Sequence, residues 1–358
     1  MSGGEPGQPR RLREALREDR ALIGVMSLYA LAALPFGAFR PVGHWIAATA
    51  VTAAITGAAV WLYLPAWDVW RESRRSGVRL AARNVARRLR RTWPERLARW
   101  LLILVVLRVF FEGVRTFKSA IPLLHPFSWD APLMELDRVL HFGRHPWQWL
   151  HPMLGRPGIT RALDWAYDAW YGVALYGLVA FACSGRNELR ARFLWSFVLA
   201  WILLATVAAA IFSSAGPCYY GAVTGLADPY APLMTYLGQA SAERPLHALE
   251  TQALLWAGYT GRIQPALGIA AMPSLHVAMP VLLATATWSI SRALSGAFAA
   301  YAAVILVGSV HLGWHYAVDG YFSALAVPLL WWAVGRALGP GTRSRGVPAR
   351  AMDAAAPG

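Results

Sequence analysis

Apolar residues occur along this chain in long, nearly unbroken runs rather than in the narrow stripes of a water-soluble bundle. About twenty apolar residues are enough to carry an α-helix across a bilayer's hydrocarbon core. The pattern predicts eight such runs, at about 21–39, 44–67, 97–117, 162–183, 193–212, 272–290, 295–311 and 316–338. The expected fold is an all-α polytopic membrane protein with about eight transmembrane helices. Polar stretches divide it into a basic cytoplasmic tail (1–20), two N-terminal helices (21–67), an arginine-rich cytoplasmic linker (68–96), a six-helix core (97–338) and a disordered cytoplasmic tail (339–358).

Composition supports the membrane reading. The chain has 358 residues, 57% of them hydrophobic and only 15% charged. The formal net charge is +15, carried almost wholly by arginine; Lys118 is the only lysine. In a chain with many apolar runs this balance marks cytoplasmic loops and not a nucleic-acid surface. The N-terminal tail, the linker, the 185–192 loop, Arg292 and the C-terminal tail fall on one side of an eight-helix topology, which makes that side cytoplasmic. The 118–163 and 214–271 connections then face outward, at a cell membrane crossed many times. The first twenty residues are polar and carry acids as well as arginines, so the apolar run after them reads as a first span and not a cleaved leader. Cys183 and Cys218 fall on opposite faces, which predicts no disulfide between them.

Charge also marks particular helices. Arg79, Arg83, Arg87 and Arg90 share one stripe, which suits either a surface helix on anionic headgroups or a solvated linker. Arg108, Glu112 and Arg115 share a face of the third run, and that face must point into the bundle. Arg108 and Glu112 suit a structural ion pair. Arg115 and Lys118, nearer the end of the run, are candidates to bind an anion. The 118–163 connection carries Trp129, Trp147 and Trp149, which suit an interfacial segment. Its His125, His141, His145 and His151 are not spaced as one clean ligand face, so neither a metal nor another cofactor is expected.

The chemistry concentrates in two segments near the C-terminal end, Ala271-Met-Pro-Ser-Leu-His276 and His311-Leu-Gly-Trp-His315-Tyr-Ala-Val-Asp319. His315 and Asp319 are four apart and share a face if the segment is helical. The carboxylate can accept a proton from one imidazole nitrogen and leave the other free as base or nucleophile. His276 can donate a proton to a leaving group. Pro273 and Ser274 suit a helix start, where backbone N–H groups hold anions. Ser214-Ala-Gly-Pro-Cys-Tyr-Tyr220 breaks the fifth run. Gly216 there allows close backbone approach, and Tyr219 and Tyr220 offer hydroxyls to a phosphate or sugar-like headgroup. An aromatic belt is the plainer reading of those tyrosines. His311 is placed with the substrate-binding set.

Pro273-Ser-Leu-His276 and His315-x-x-x-Asp319 resemble the second and third motifs of the type 2 phosphatidic acid phosphatase (PAP2) superfamily. The Leu before the motif histidine and the His-Tyr-x-x-Asp pattern resemble most the branch of inositol phosphorylceramide synthases and their bacterial relatives. The likeness covers about 97–338 and includes, in outline, Asp130-Ala-Pro-Leu-Met-Glu-Leu-Asp137. Two departures stand out. The usual first motif, a Lys followed by Arg-Pro, is missing, and Ser309 stands where an Arg usually precedes the third-motif histidine.

The resemblance implies a metal-independent enzyme in which His315 attacks phosphorus, Asp319 orients it and His276 moves the proton. With a lipid or polyol hydroxyl as acceptor it is a phosphotransferase acting on a phospholipid or lipid phosphate; with water it is a phosphatase. A non-enzymatic transporter of anionic lipids is the reading from a different class. A vanadate-dependent haloperoxidase fits less well, because those relatives are soluble and the phosphate-holding cations are missing here.

Overall fold

The computed structural model describes residues 8–37, 69, 73, 77–182, 184, 187–263 and 268–339. The expected second span at 44–67, Cys183 and the C-terminal tail from 340 lie outside the described residues; Cys218 is a free thiol. The described chain is helical, with no strand. The long helices are α1 (Gln8–Ala33) and α2 (Val78–Leu124). Four short helices follow: α3 (Asp130–Leu140), α4 (Pro146–Leu154), α5 (Pro157–Asp168) and α6 (Trp170–Ala182). Next come α7 (Asn187–Ile202), the one-turn α8 (Tyr220–Thr224), α9 (Ala231–Glu243) and α10 (His247–Tyr259). The last three are α11 (Leu275–Thr287), α12 (Arg292–His311) and α13 (Ala317–Leu338).

Among the described residues four helical stretches are long and apolar enough to cross a membrane: Asp19–Phe36, which runs from α1 into the 3-10 turn after it, Glu188–Ile211, Arg292–His311 and Ala317–Leu338. The other expected spans look different. The 97–117 run is part of α2, whose 47 residues also take in the arginine-rich 78–96 stretch. Arginine, leucine and alanine are good helix formers, so the polarity change at 97 does not interrupt the helix. Its inner half carries Arg108, Glu112, Arg115 and Lys118, too many charges for an ordinary span. The 162–183 run is divided into α5 and α6 at Ala169. The 272–290 run forms only the 13-residue α11.

Helix α11 is the centre of the bundle. It buries residues around its whole circumference, among them Val277, Met279, Leu282 and Leu283, because α6, α7, α12 and α13 pack against it. Gly320 lets α13 approach: a Cβ there would clash with Leu306 and lie 3.2 Å from Val277. Apolar side chains such as Leu325 and Leu329 of α13 and Leu28 of α1 point outward, 67–70% exposed, as lipid-facing residues do.

Helix α1 packs along α2 and is tied to α7 by a buried bidentate pair. Arg190 donates to Asp19 at 2.9 and 2.6 Å. Beyond Ile202, α7 passes through a π-helical turn (Leu203–Ala208). That turn places Ala205 beside the cavity described next, and the Thr206 and Tyr29 hydroxyls share a hydrogen bond of 2.5 Å.

Candidate active site

The segment between α12 and α13 is folded by its own backbone. The Trp314 and His315 N–H groups both donate to the Ser309 carbonyl, at 2.8 and 3.2 Å, and Gly313 takes the left-handed φ of 73° that this tight turn needs. His315 therefore lies before α13 and not on it, which corrects the expectation of one shared helical face. It meets Asp319 because Asp319 sits in the first turn of α13 and its side chain folds back. Asp319 Oδ2 accepts the Tyr316 N–H at 3.1 Å and lies 3.3 Å from His315 Nδ1. Asp319 is fully buried and His315 is 6% exposed.

Helix α11 brings the second histidine. Ser274 is its N-cap and accepts the Val277 N–H, while the Ser274 N–H donates to the Asp319 carbonyl at 3.2 Å. That bond ties the two motif segments together. The His276 and His315 rings stand 5.8 Å apart, centroid to centroid. Ser214 pins the approach to α11 by accepting twice: its carbonyl takes the Ala271 N–H at 2.9 Å and its hydroxyl takes the Met272 N–H at 3.1 Å.

Both histidines line a cavity of about 500 Å³. Arg115 and Lys118 enter it from α2. Arg115 is paired with Glu112 at 2.9 Å, and Glu112 also takes Arg108 at 3.2 Å, so the expected Arg108–Glu112 pair is a three-residue group. Lys118 has no hydrogen bond or ion pair among the described residues, and its charge acts on both histidines. Burial, with Lys118 second, pushes the His315 imidazole down to about 3 against an opposing contact to the Ala271 carbonyl. His315 is thus neutral near pH 7, the form that can act as a nucleophile.

The remaining expected residues separate. Pro273 and Tyr219 line the cavity, although the Tyr219 hydroxyl is already spent on the Gln252 carbonyl at 2.8 Å. Tyr220 is 1% exposed and packs against Tyr230 in the core, away from the cavity. Ser274 is wholly buried and its hydroxyl serves its own helix. The Gly216 N–H serves Asp130, and a Cβ at Gly216 would lie 2.7 Å from the Trp314 carbonyl oxygen. Its role is close packing of the loop against the His315 segment. His311 faces the opposite side of α12, where its Nε2 meets Thr160 Oγ1 at 2.9 Å beside His151. No group of three or more His, Cys, Asp or Glu among the described residues is arranged to hold a metal.

Three aspartates that the sequence reading did not single out as site residues brace the site. Asp137 accepts the Ala317 and Val318 N–H groups at 2.8 and 3.0 Å, capping α13 from outside the helix. Asp130 accepts Ala215 N, Gly216 N and the Tyr316 hydroxyl, all at 2.8 Å. Asp164 accepts the His247 and Ala248 N–H groups at the start of α10. A carboxylate suits the positive end of a helix, and these reach it across long stretches of sequence. Burial nonetheless pushes Asp137 up to about 7, the two N–H bonds opposing and the Asp319 charge adding to the rise. The sequence signal was available: Asp130, Leu133 and Asp137 fall on one face of α3, and all three are buried.

Helix α3 through α13 coincide with a known family. A sequence model of the PAP2 superfamily matches residues 131–333. No curated protein and no solved structure matches the chain.

Proposed function

The chain belongs to the PAP2 superfamily, and from that premise we propose that it is a phosphotransferase moving a phosphorylated headgroup between lipids or polyols through a phosphohistidine. Membership itself implies phosphatase or phosphotransferase activity on lipid phosphates, in a protein with several helices able to cross a membrane. The observation that supports the phosphohistidine step is the facing pair of histidines, 5.8 Å apart, of which His315 alone among the described residues is held by a carboxylate.

In the proposed reaction His315 Nε2 attacks phosphorus, since Nδ1 is turned to Asp319. The bond from phosphorus to the leaving oxygen breaks, and His276 gives that oxygen a proton. His276 then takes the proton of the acceptor hydroxyl, whose oxygen attacks phosphorus. The P–N bond breaks and His315 is restored. Lys118 and Arg115 supply positive charge to the phosphoryl oxygens, standing in for the missing first-motif cations. The aromatic wall formed by Tyr167, Trp170, Trp201 and Trp314 favours an organic acceptor over water. The proposed topology keeps eight spans, with both termini cytoplasmic and the cavity on the extracytoplasmic face.

The test is thin-layer and phosphate-release analysis of detergent-purified protein. Phosphatidic acid, polyprenyl diphosphate and phosphatidylinositol would each be offered with and without an alcohol-bearing lipid. A new phosphodiester lipid, absent with His315→Ala, supports the transferase. Free phosphate alone makes the protein a phosphatase. Lipid binding without turnover on every substrate points to a transporter.

A further inference from the structure

His315 has Asp319 to orient it, whereas His276 has no carboxylate. Among the described residues no hydrogen bond or ion pair reaches the His276 ring; aromatic rings surround it instead. Tyr167 stacks on its face with centroids 4.4 Å apart and planes at 23°. Trp170 lies at 4.5 Å and 43°, and Tyr171 stands edge-on at 6.4 Å. Tyr167 also stacks nearly parallel on Trp314, the neighbour of His315, at 6.2 Å and 4°. The break between α5 and α6 at Ala169 is what places Tyr167 and Trp170 around one imidazole.

The polar ends of these rings are not what holds them. The Tyr167 hydroxyl and the Trp170 indole N–H are buried without hydrogen-bond partners among the described residues. Tyr167 meets His276 with its ring face, and Trp170 meets it tilted at 43°. An aromatic face is electron-rich and attracts a cation within about 6 Å of its centre. It orients an imidazole without occupying either ring nitrogen.

We infer that Tyr167 and Trp170 form an aromatic clamp that positions His276 for proton transfer and accommodates its protonated form. This rests on the phosphoryl-transfer reading above. A carboxylate partner would occupy one N–H of the imidazolium and hold its proton; the clamp leaves both N–H groups directed by packing alone. In the transfer, the His276 N–H bond breaks as the O–H bond of the leaving group forms, and the phosphorus–oxygen pair goes to that oxygen. The titratable groups sharing the cavity with His276 are Arg115 and Lys118 on α2, Asp164, Tyr167 and Asp168 on α5, Tyr171 on α6, Tyr219, His247 on α10, and His315. The two cations among them oppose a charge on His276, and the π faces offset that opposition. Tyr167 and Trp170 are positioning residues, since they act through His276.

The test compares Tyr167→Leu, Tyr167→Phe, Trp170→Leu and Trp170→Phe in the full chain. The substrates are phosphatidic acid, whose alkoxide must be protonated as it leaves, and p-nitrophenyl phosphate, whose phenolate leaves without a proton. The Leu variants are expected to lose roughly 10- to 100-fold in kcat on phosphatidic acid, a part of the roughly 10²- to 10⁴-fold that a general acid contributes as a whole. Their loss on the aryl ester should be at least about tenfold smaller, and the Phe variants should recover most of the Leu loss. Equal losses on both substrates, or equal losses for Leu and Phe, would overturn the clamp. NMR of isotope-labelled histidine supplies a readout that needs no turnover, with His276→Gln identifying the signal. Ring currents should displace the His276 ring protons in the wild type and the Phe variants and release them in the Leu variants. Identical signals in all five proteins would also overturn the clamp. A wild type silent on both substrates but with displaced His276 signals would keep the packing and remove its role in proton transfer together with the enzymatic reading.

Discussion

The Tyr316 hydroxyl donates to Asp130 Oδ1 at 2.8 Å across 186 positions of sequence, tying the residue after His315 to the first turn of α3. The same carboxylate holds the N–H groups of Ala215 and Gly216, so one buried side chain fixes two connecting segments, 215–216 and the one that carries Tyr316. Tyr316→Phe removes one hydrogen bond to a charged group and should cost about 1.5–3 kcal/mol. Asp130→Ala removes three partners at once and should cost more. Thermal unfolding in detergent checks both; an Asp130→Ala protein as stable as Tyr316→Phe would contradict the brace.

His315→Ala and His276→Ala should each abolish turnover while the protein still purifies as a monodisperse species. Asp319→Asn should retain a trace, with kcat lower by roughly 10²- to 10⁴-fold, because an amide cannot stabilise the imidazolium as a carboxylate does. The thin-layer assay reads all three. Full activity in either histidine variant would end the mechanism.

Lys118 has no hydrogen bond or ion pair among the described residues, and Arg115 shares Glu112 with Arg108. Lys118→Gln should therefore raise KM for an anionic lipid phosphate more than a change at Arg108, by roughly ten- to a hundredfold, as expected for a lost charge-assisted hydrogen bond. Steady-state kinetics on mixed micelles measures it. An unchanged KM would remove Lys118 from phosphate binding.

The pH dependence of stability follows from His315. Its folded value is held down to about 3, whereas an unfolded histidine titrates near 6.5. Between these values the unfolded chain binds a proton that the folded chain refuses, so stability should fall as pH falls from about 6.5 towards about 3. His315→Asn should flatten that slope. Unfolding midpoints at several acidic pH values compare the two proteins; parallel curves would show that His315 is not the cause.

Gly216 has φ 102° and sits against the Trp314 carbonyl, where an added Cβ would lie at 2.7 Å. Gly216→Ala should destabilise the protein by more than about 1 kcal/mol and lower activity by displacing the His315 segment. Circular dichroism and the lipid assay together check it. A variant equal to wild type in both would mean that the loop gives way freely.

The residues themselves carried the helical class, the membrane setting and the family resemblance. Each is a local property: long apolar runs have few ways to satisfy their backbone in hydrocarbon, and His276, His315 and Asp319 stand in short, dense motifs. Lys118 was also legible, as the lone lysine near the end of an apolar run. Its placement against both histidines depends on α2 packing beside α7, which adjacent sequence does not encode. The tyrosines at 219 and 220 looked equivalent in the sequence, yet the turn Pro217–Tyr219 sends one to the cavity wall and the other into the core. Asp130, Asp137 and Asp164 find their backbone partners 83 to 181 positions away. Only the tertiary structure could pair them, because a buried helix start needs an acceptor wherever the fold can bring one. The sequence determined which groups can do chemistry; long-range packing decided which of them share a cavity, since that depends on helices that meet in space and not along the chain.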